Sequence, residues 1–134
     1  MNELWTALYS RLTAATAVTV HLASTTSVYD TVVPQGASYP LIVFQQQAGG
    51  FETVDPHSRH DKLVTVKAIT ASGFKTAEEI DAAILAALDN NKLSVTGHTN
   101  LWQRRTSDVR YAEADPAGNA YYHVGGIYRI RLTH

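Results

Sequence analysis

Two groups of side chains in this sequence carry types suited to chemistry. Asp55-Pro56-His57-Ser58-Arg59-His60-Asp61 gathers imidazoles and carboxylates, both metal-ligand types. Histidines three apart meet on one turn of a helix, but this stretch enters a strand and carries Arg59 between them. No third histidine lies nearby and no zincin-type spacing is present, so the stretch reads as solvated loop residues. The second group is Arg104, Arg105 and Arg110 with Arg129 and Arg131, on two strands expected to pair. One reading is cross-strand pairing with Asp108 and Glu113. The other is a basic patch for a partner or for passing nucleic acid. Period-two alternation puts Arg129 and Arg131 opposite the apolar residues of their strand, and Arg104 and Arg110 on one face if no bulge intervenes. Trp102 beside Arg104 either covers a sheet edge or stacks on bases. Glu78, Glu79 and Asp81 cluster at a helix start, where acidic side chains offset the helix dipole.

Other chemistry is missing its motifs. Gly-x-Ser-x-Gly is absent. No glycine loop opens a helix to cradle phosphate, because Ala48-Gly49-Gly50-Phe51 leads into another loop. We therefore expect no catalytic centre, no metal and no cofactor. The chain has 134 residues, is 45% hydrophobic and 17% charged, and has a formal net charge of -1. That length suits one domain over 1–134. The near-zero charge gives no global case for nucleic-acid or membrane affinity. There are no cysteines, which excludes disulfides and thiolate metal sites. Neither a signal-peptide pattern nor an apolar run of about 18 residues is present. The low charge share is a weak sign of a surface covered by neighbours.

The elements that must position these residues follow from pattern. Glu3 to Thr16 has helical periodicity, with Leu4, Trp5, Leu8, Tyr9 and Leu12 as a core-facing stripe and Asn2 as cap. Ala17 to Leu22 extends this helix or forms a short second one. Val28-Tyr29-Asp30 reads as a brief strand. Pro34-Gln35-Gly36 reads as a turn, and Pro40 starts a strand whose run Leu41–Phe44 fits burial on both faces. Ala48 to Ser58 then reads as a long loop whose apolar Phe51 and Val54 either fold back on the body or anchor a partner, and the expectation is the partner contact, with Glu52 and Asp55 as a polar rim. His60 to Thr70 is a strand with Val64, Val66 and Ala68 on one face. Thr76 to Glu79 is a capping-box pattern opening a helix to about Leu88, with Ala77, Ile80, Ala83, Ile84, Ala87 and Leu88 buried and an asparagine closing it. Leu93 and Val95 suggest a short strand, Leu101 to Tyr111 a long one with a bulge, and Ala120 to Thr133 a final strand with Tyr122, Val124, Tyr128, Ile130 and Leu132 inward. The order favours an α+β fold with a mainly antiparallel sheet and two main helices on one face.

Three of these features together resemble the tail terminator (tail-completion) family of long-tailed bacteriophages. They are Leu-Trp-x-x-Leu-Tyr-x-x-Leu from Leu4 to Leu12, Val28-Tyr29-Asp30, and Val33-Pro34-Gln35-Gly36 leading to Tyr39-Pro40-Leu41-Ile42-Val43. The later strands and the Ala-rich helix follow in the family's order, so the resemblance spans nearly the whole chain. It implies a non-enzymatic virion protein that forms a ring, usually hexameric, on the head-proximal end of a finished tail tube. Such a ring stops addition of tube protein, offers a face to the head-closure or connector protein, and lets double-stranded DNA pass without sequence recognition. Another neck adaptor, a small enzyme built on His57 and His60, and a dimeric binding domain are the alternatives. In a ring, Arg104, Arg110, Arg129 and Arg131 are expected either at a subunit seam, paired with Glu78, Glu79 or Asp81 of the next copy, or in the lumen facing phosphate. The seam is the favoured reading, since a lumen that grips DNA obstructs it.

Overall fold

Leu41, Ile42, Val43 and Phe44 are each no more than 3% exposed, so the strand they open is buried on both faces, as its composition predicts. That strand belongs to one six-stranded sheet in the computed structural model of the chain, which describes residues 2–54 and 57–133. The elements are α1 (Asn2–Ala14), α2 (Thr16–Thr19), β1 (Val28–Asp30), β2 (Leu41–Val54), β3 (His57–Thr70), α3 (Phe74–Leu88), β4 (Ser94–Val95), β5 (His98–Ala114) and β6 (Ala120–Thr133). The strand order is β1-β2-β3-β6-β5-β4. Every pairing is antiparallel except β1 with β2. The architecture is α+β, as the alternation of patterns predicts.

One face of the sheet carries the helices. Leu4, Leu8 and Leu12 of α1 and Ile80, Ile84 and Leu88 of α3 pack on Ile42, Phe44, Val64, Val66, Tyr128, Ile130 and Leu132 in one apolar cluster. Trp5 joins it, its ring 6.3 Å from that of Phe44. Tyr9, expected in the stripe, is 38% exposed, and the smaller Ala7 is buried in its stead. Arg11 ties the helices together by donating to the backbone oxygens of Ala87 (2.9 Å) and Lys92 (2.6 Å). Those are carbonyls at and beyond the end of α3, where a cation is favoured. Buried Gln103 on β5 donates to Leu88 O and Asn91 O from the sheet side. Asn90 takes the left-handed conformation that closes the helix, as its type predicts.

α3 begins two residues before the expected capping box. Gly73 precedes Phe74 with φ 115°, and no side chain caps the end. Thr76 thus lies inside the first turn. Phe74 accounts for the early start, since its ring meets Tyr122 edge-on at 4.9 Å and anchors the first turn to β6.

The opposite face is covered over one half only. The segment after β1 folds over it, so that Leu41, Val43 and Ile69 form a second small cluster with Val33, Ala37, Tyr39 and Tyr121. The other half, near the far ends of β2 and β6, has no helix over it among the described residues and carries Asp61, Arg104, Arg129 and Arg131 beside Leu63 and Trp102.

The main departure from expectation lies at Ala48–Ser58. No long loop is found there. β2 continues through Val54 and β3 begins at His57, with a register running from Ala48↔Leu63 to Val54↔His57. The strands form a hairpin arm, bulged between Gln46 and Ala48, whose β3 strand stays paired with β6 as far as Arg59, so that only Thr53↔Ser58 and Val54↔His57 stand as two strands alone.

Candidate assembly surfaces

The expected site residues fall into two places, the arm and the strands β5 and β6. Phe51, Glu52 and Val54 lie on β2 in the arm, opposite His60, Arg59 and His57. Their side chains, and Asp55 altogether, lie outside the described residues. The extended course of β3 also removes the helical turn on which His57 and His60 would have met. Among the described residues no group of three or more His, Cys, Asp or Glu is placed to hold a metal.

The arginines divide between the two faces because of a bulge. Register along β5 shifts between Arg105 and Ser107, so Arg104 stands opposite Arg129, Arg105 opposite Tyr128, and Arg110 opposite Val124. Tyr128 and Val124 point to the helices, and so do Arg105 and Arg110. Arg104, Arg129 and Arg131 point to the bare half of the other face. The bulge at Thr106 thus separates Arg104 from Arg110, which unbroken alternation would have kept together.

On the helix face both arginines are engaged by α3. Arg105 makes a forked ion pair with Asp81, with Nη1 to Oδ2 at 2.9 Å, and both side chains are nearly buried. Its Nη2 also donates to the Tyr128 hydroxyl at 2.9 Å. Burial pushes the Tyr128 phenol up to about 12, with Arg105 acting in the opposite direction. Arg110 donates from Nε to Glu78 Oε1 at 2.8 Å, and its guanidinium lies 3.8 Å from the centre of the Phe74 ring. Glu78 and Asp81 therefore serve within the chain, holding α3 against β5.

On the bare face, Arg129 donates from Nε to both Asp61 carboxylate oxygens, at 2.9 and 3.1 Å. The hydrogen bond from Arg129 holds the Asp61 carboxyl below its ordinary range. Arg129 also lies 5.6 Å from the ring centre of Trp102, so the tryptophan serves as a platform for this arginine. Arg104 is exposed and Arg131 is half-buried beside it. The register brings Arg59 of β3 to the same end of this face, next to Thr133.

Sequence reasoning missed a second constellation on this face. His123, only 4% exposed, bonds through Nε2 to Glu113 Oε1 at 2.8 Å and is stacked on Tyr111 at 4.4 Å. Lys67 Nζ donates to the Tyr111 hydroxyl at 2.8 Å. Burial, then the charge of Lys67, lowers the His123 pKa, so the ring is neutral at pH 7. The signal that could have found it is the outward position of His123 within the alternation of β6. Charge patterning alone does not say which outward residues a neighbour will cover.

Comparison with known proteins completes the picture. The family model "Tail completion protein gp17" matches residues 6–132. No curated protein matches the chain in sequence. Among solved structures, a chain of the virion of a native gene transfer agent particle aligns with TM-score 0.79 at 19% identity, covering 98% of this chain and 95% of that one. A second solved chain aligns with TM-score 0.57 at 16% identity, over 99% of this chain and 94% of its own length. At such identities these two likenesses concern the fold.

Proposed function

The chain belongs to the tail completion protein gp17 family, a family of structural virion proteins and not enzymes, and from that premise we propose that it closes the head-proximal end of a phage tail tube as a ring, in a hexamer. The observation that carries this reading is the family match over residues 6–132, nearly the whole fold. The likeness to a chain of a gene transfer agent virion is consistent with it. In this reading the ring ends addition of the major tail tube protein on one side and receives the head-closure or connector protein on the other. The tube-facing element in this reading is the end of the β2–β3 hairpin, which carries Phe51, Glu52 and Val54 and is followed in sequence by Asp55, since its last pairs, Thr53↔Ser58 and Val54↔His57, extend past the last β3–β6 pair, Arg59↔Thr133.

The arginines have separate duties here. Arg110 and Arg105 hold α3, and their carboxylate partners are already engaged within the chain. In this reading the bare-face set, Arg104, Arg129 and Arg131, turns to the lumen, where guanidiniums meet phosphate without reading bases. Arg129 is paired with Asp61, which suits a channel that DNA must slide through.

Electron microscopy of the purified protein, alone and added to tails assembled without it, tests this directly. We expect rings in isolation and a cap at one end of tails of uniform length. Protein found only on the head connector, with tail length uncontrolled, identifies a head-closure adaptor and overturns the tail-terminator reading.

A further inference from the structure

Both long outer edges of the sheet are largely uncovered. β1 pairs with only Ile42, Val43 and Phe44 of β2, and β4 with only His98 and Thr99 of β5. The end of α3 then covers the next part of β5, where Gln103 O accepts from Asn90 N and Arg105 N donates to Asp89 Oδ1, each at 2.9 Å. Beyond the bulge, Ser107–Ala114 has no outer strand among the described residues, and neither has β2 from Gln45 onward. Each edge presents a row of backbone donors and acceptors.

The phase of these rows can be read. Ile42 N donates outward to Ser27 O and Phe44 O accepts from Thr31 N, so Gln46 also directs its backbone outward. Gly49 does the same across the bulge, because its partner Lys62 is in phase with Val64, the partner of Gln46. On β5 the outward residues are Asp108, Arg110 and Ala112, whose partners Gly126, Val124 and Tyr122 are in phase with Tyr128.

The β2 edge carries one bulge, between Gln46 and Ala48, and otherwise lacks the devices that keep exposed edges apart. Gln45-Gln46-Gln47-Ala48-Gly49-Gly50 contains no charge and no proline, and from Gln46 onward it is exposed. Its small residues let another backbone approach. The β5 edge carries Tyr111, which is 41% exposed although it stacks on His123. Chain direction agrees as well. Strands β2, β3, β6 and β5 run alternately up and down, so β2 and β5 run in opposite senses. Rotation about an axis along the strands preserves those senses and sets β5 of one copy antiparallel to β2 of the next.

We propose that the partner of these edges is a second copy of this chain, with Ser107–Ala114 of one subunit adding as a strand to Gln45–Gly50 of its neighbour. The seam is a backbone ladder and leaves the arginine–carboxylate pairs intact. The contact is heterologous, so it repeats around a closed ring; this rests on the ring reading above.

Proline tests it, since proline is tolerated on an edge whose N–H faces solvent and blocks strand addition there. Gln46→Pro and Ala112→Pro remove one outward donor on each edge. In native mass spectrometry the unaltered chain should form a closed ring and each variant should fall to monomers. An equimolar mixture of the two should give heterodimers, because each retains one edge that the other lacks. Should either variant fail to fold, hydrogen exchange on the unaltered chain decides. The amides of Gln46, Gly49, Arg110 and Ala112 should exchange at least about tenfold more slowly in the oligomer than in dilute monomer. Rings that persist in both variants, or edge amides that exchange equally in ring and monomer, refute the edge seam and leave the ring reading standing. A chain that stays monomeric both alone and on tails refutes the ring itself.

Discussion

Arg105 on β5 and Asp81 on α3 form a forked pair, and Tyr128 on β6 closes it from below by accepting a third guanidinium hydrogen bond. The ring of Tyr128 also lies 5.1 Å from the guanidinium carbon. The pair joins α3 to β5 by charge and reaches β6 through the Tyr128 hydroxyl, and both members are largely shielded from water, with side chains 12% and 13% exposed. Asp81→Ala and Arg105→Ala should each cost about 3 kcal/mol, because each leaves a desolvated charge without its partner. The double variant should cost clearly less than the sum. Urea unfolding of the four proteins measures this, and additive losses would show that the pair does not act as a unit.

Gly125 and Gly126 interrupt β6 for two different neighbours. A Cβ on Gly125 would meet the Lys67 backbone, with Lys67 Cβ at 2.6 Å, so β3 approaches where only glycine fits. A Cβ on Gly126 would meet the Arg105 guanidinium, with Cζ at 2.8 Å, and Ser107 O at 2.8 Å. Gly125→Ala must move a strand and should cost about 3 kcal/mol or more. Gly126→Ala displaces the guanidinium that Asp81 holds and crowds one carbonyl, so it should cost about as much as losing that pair, roughly 3 kcal/mol, and combining it with Asp81→Ala should cost clearly less than the sum. Thermal unfolding checks this; additive losses for Gly126→Ala and Asp81→Ala would contradict the Arg105 contact.

His123 makes stability depend on pH in a window of its own. Its folded pKa lies below the ordinary 6.5, chiefly through burial and then through Lys67, so between the two values the unfolded chain binds the extra proton. The groups that face it are Glu113 and Tyr111 on β5 and Lys67 on β3. The contribution is complete above pH 6.5 and is lost as pH falls from there through the folded pKa. Asp61 acts lower down: its stabilisation is present above its ordinary 3.8 and fades as pH drops further. Denaturation midpoints between pH 7.5 and 5 should fall for the parent chain. His123→Gln, which can still donate to Glu113 but does not titrate, should flatten that interval and leave the acidic limb. An unchanged slope would assign the effect elsewhere.

The parts of the fold that pack were legible, and the parts that project were not. Leu4, Leu8 and Leu12, the run from Leu41 to Phe44, and Val64, Val66 and Ala68 are all buried where their periods place them, because burial of one stripe or face is what creates the period. The β2–β3 arm was hidden because Gly49-Gly50 and the Asp-Pro pair after Val54 are turn signals, while backbone pairing through the glycines leaves no mark on side-chain order. Arg104 and Arg110 show the third case. The bulge at Thr106 moves everything after it by one position, and a bulge can be inferred from broken alternation without its site being fixed. The duties of Glu78 and Asp81 depend on that one residue, so the candidate site was legible in composition and not in pairing.

The arm is the segment whose removal should separate capping from folding. Its strands beyond Gly50↔Asp61 carry Phe51, Glu52 and Val54, and no element other than the adjoining strands is registered against them. Replacing Phe51–His60 by Asn-Gly closes the hairpin with a two-residue turn suited to the twist of the strands. It keeps Asp61 for Arg129 and keeps the edge from Gln45 to Gly50. It gives up the β3–β6 pairs Arg59↔Thr133 and His60↔Leu132 at the end of the sheet, a local loss. The shortened protein should therefore melt within about 5 °C of the parent, a shift that corresponds to roughly 1 kcal/mol, and should still form its oligomer. What it should lose is the grip on the tube, seen as over-long tails or tails that join no head when it is the only copy supplied. Tails of normal length carrying the shortened protein would assign the tube contact to another surface and leave the arm without the duty proposed for it.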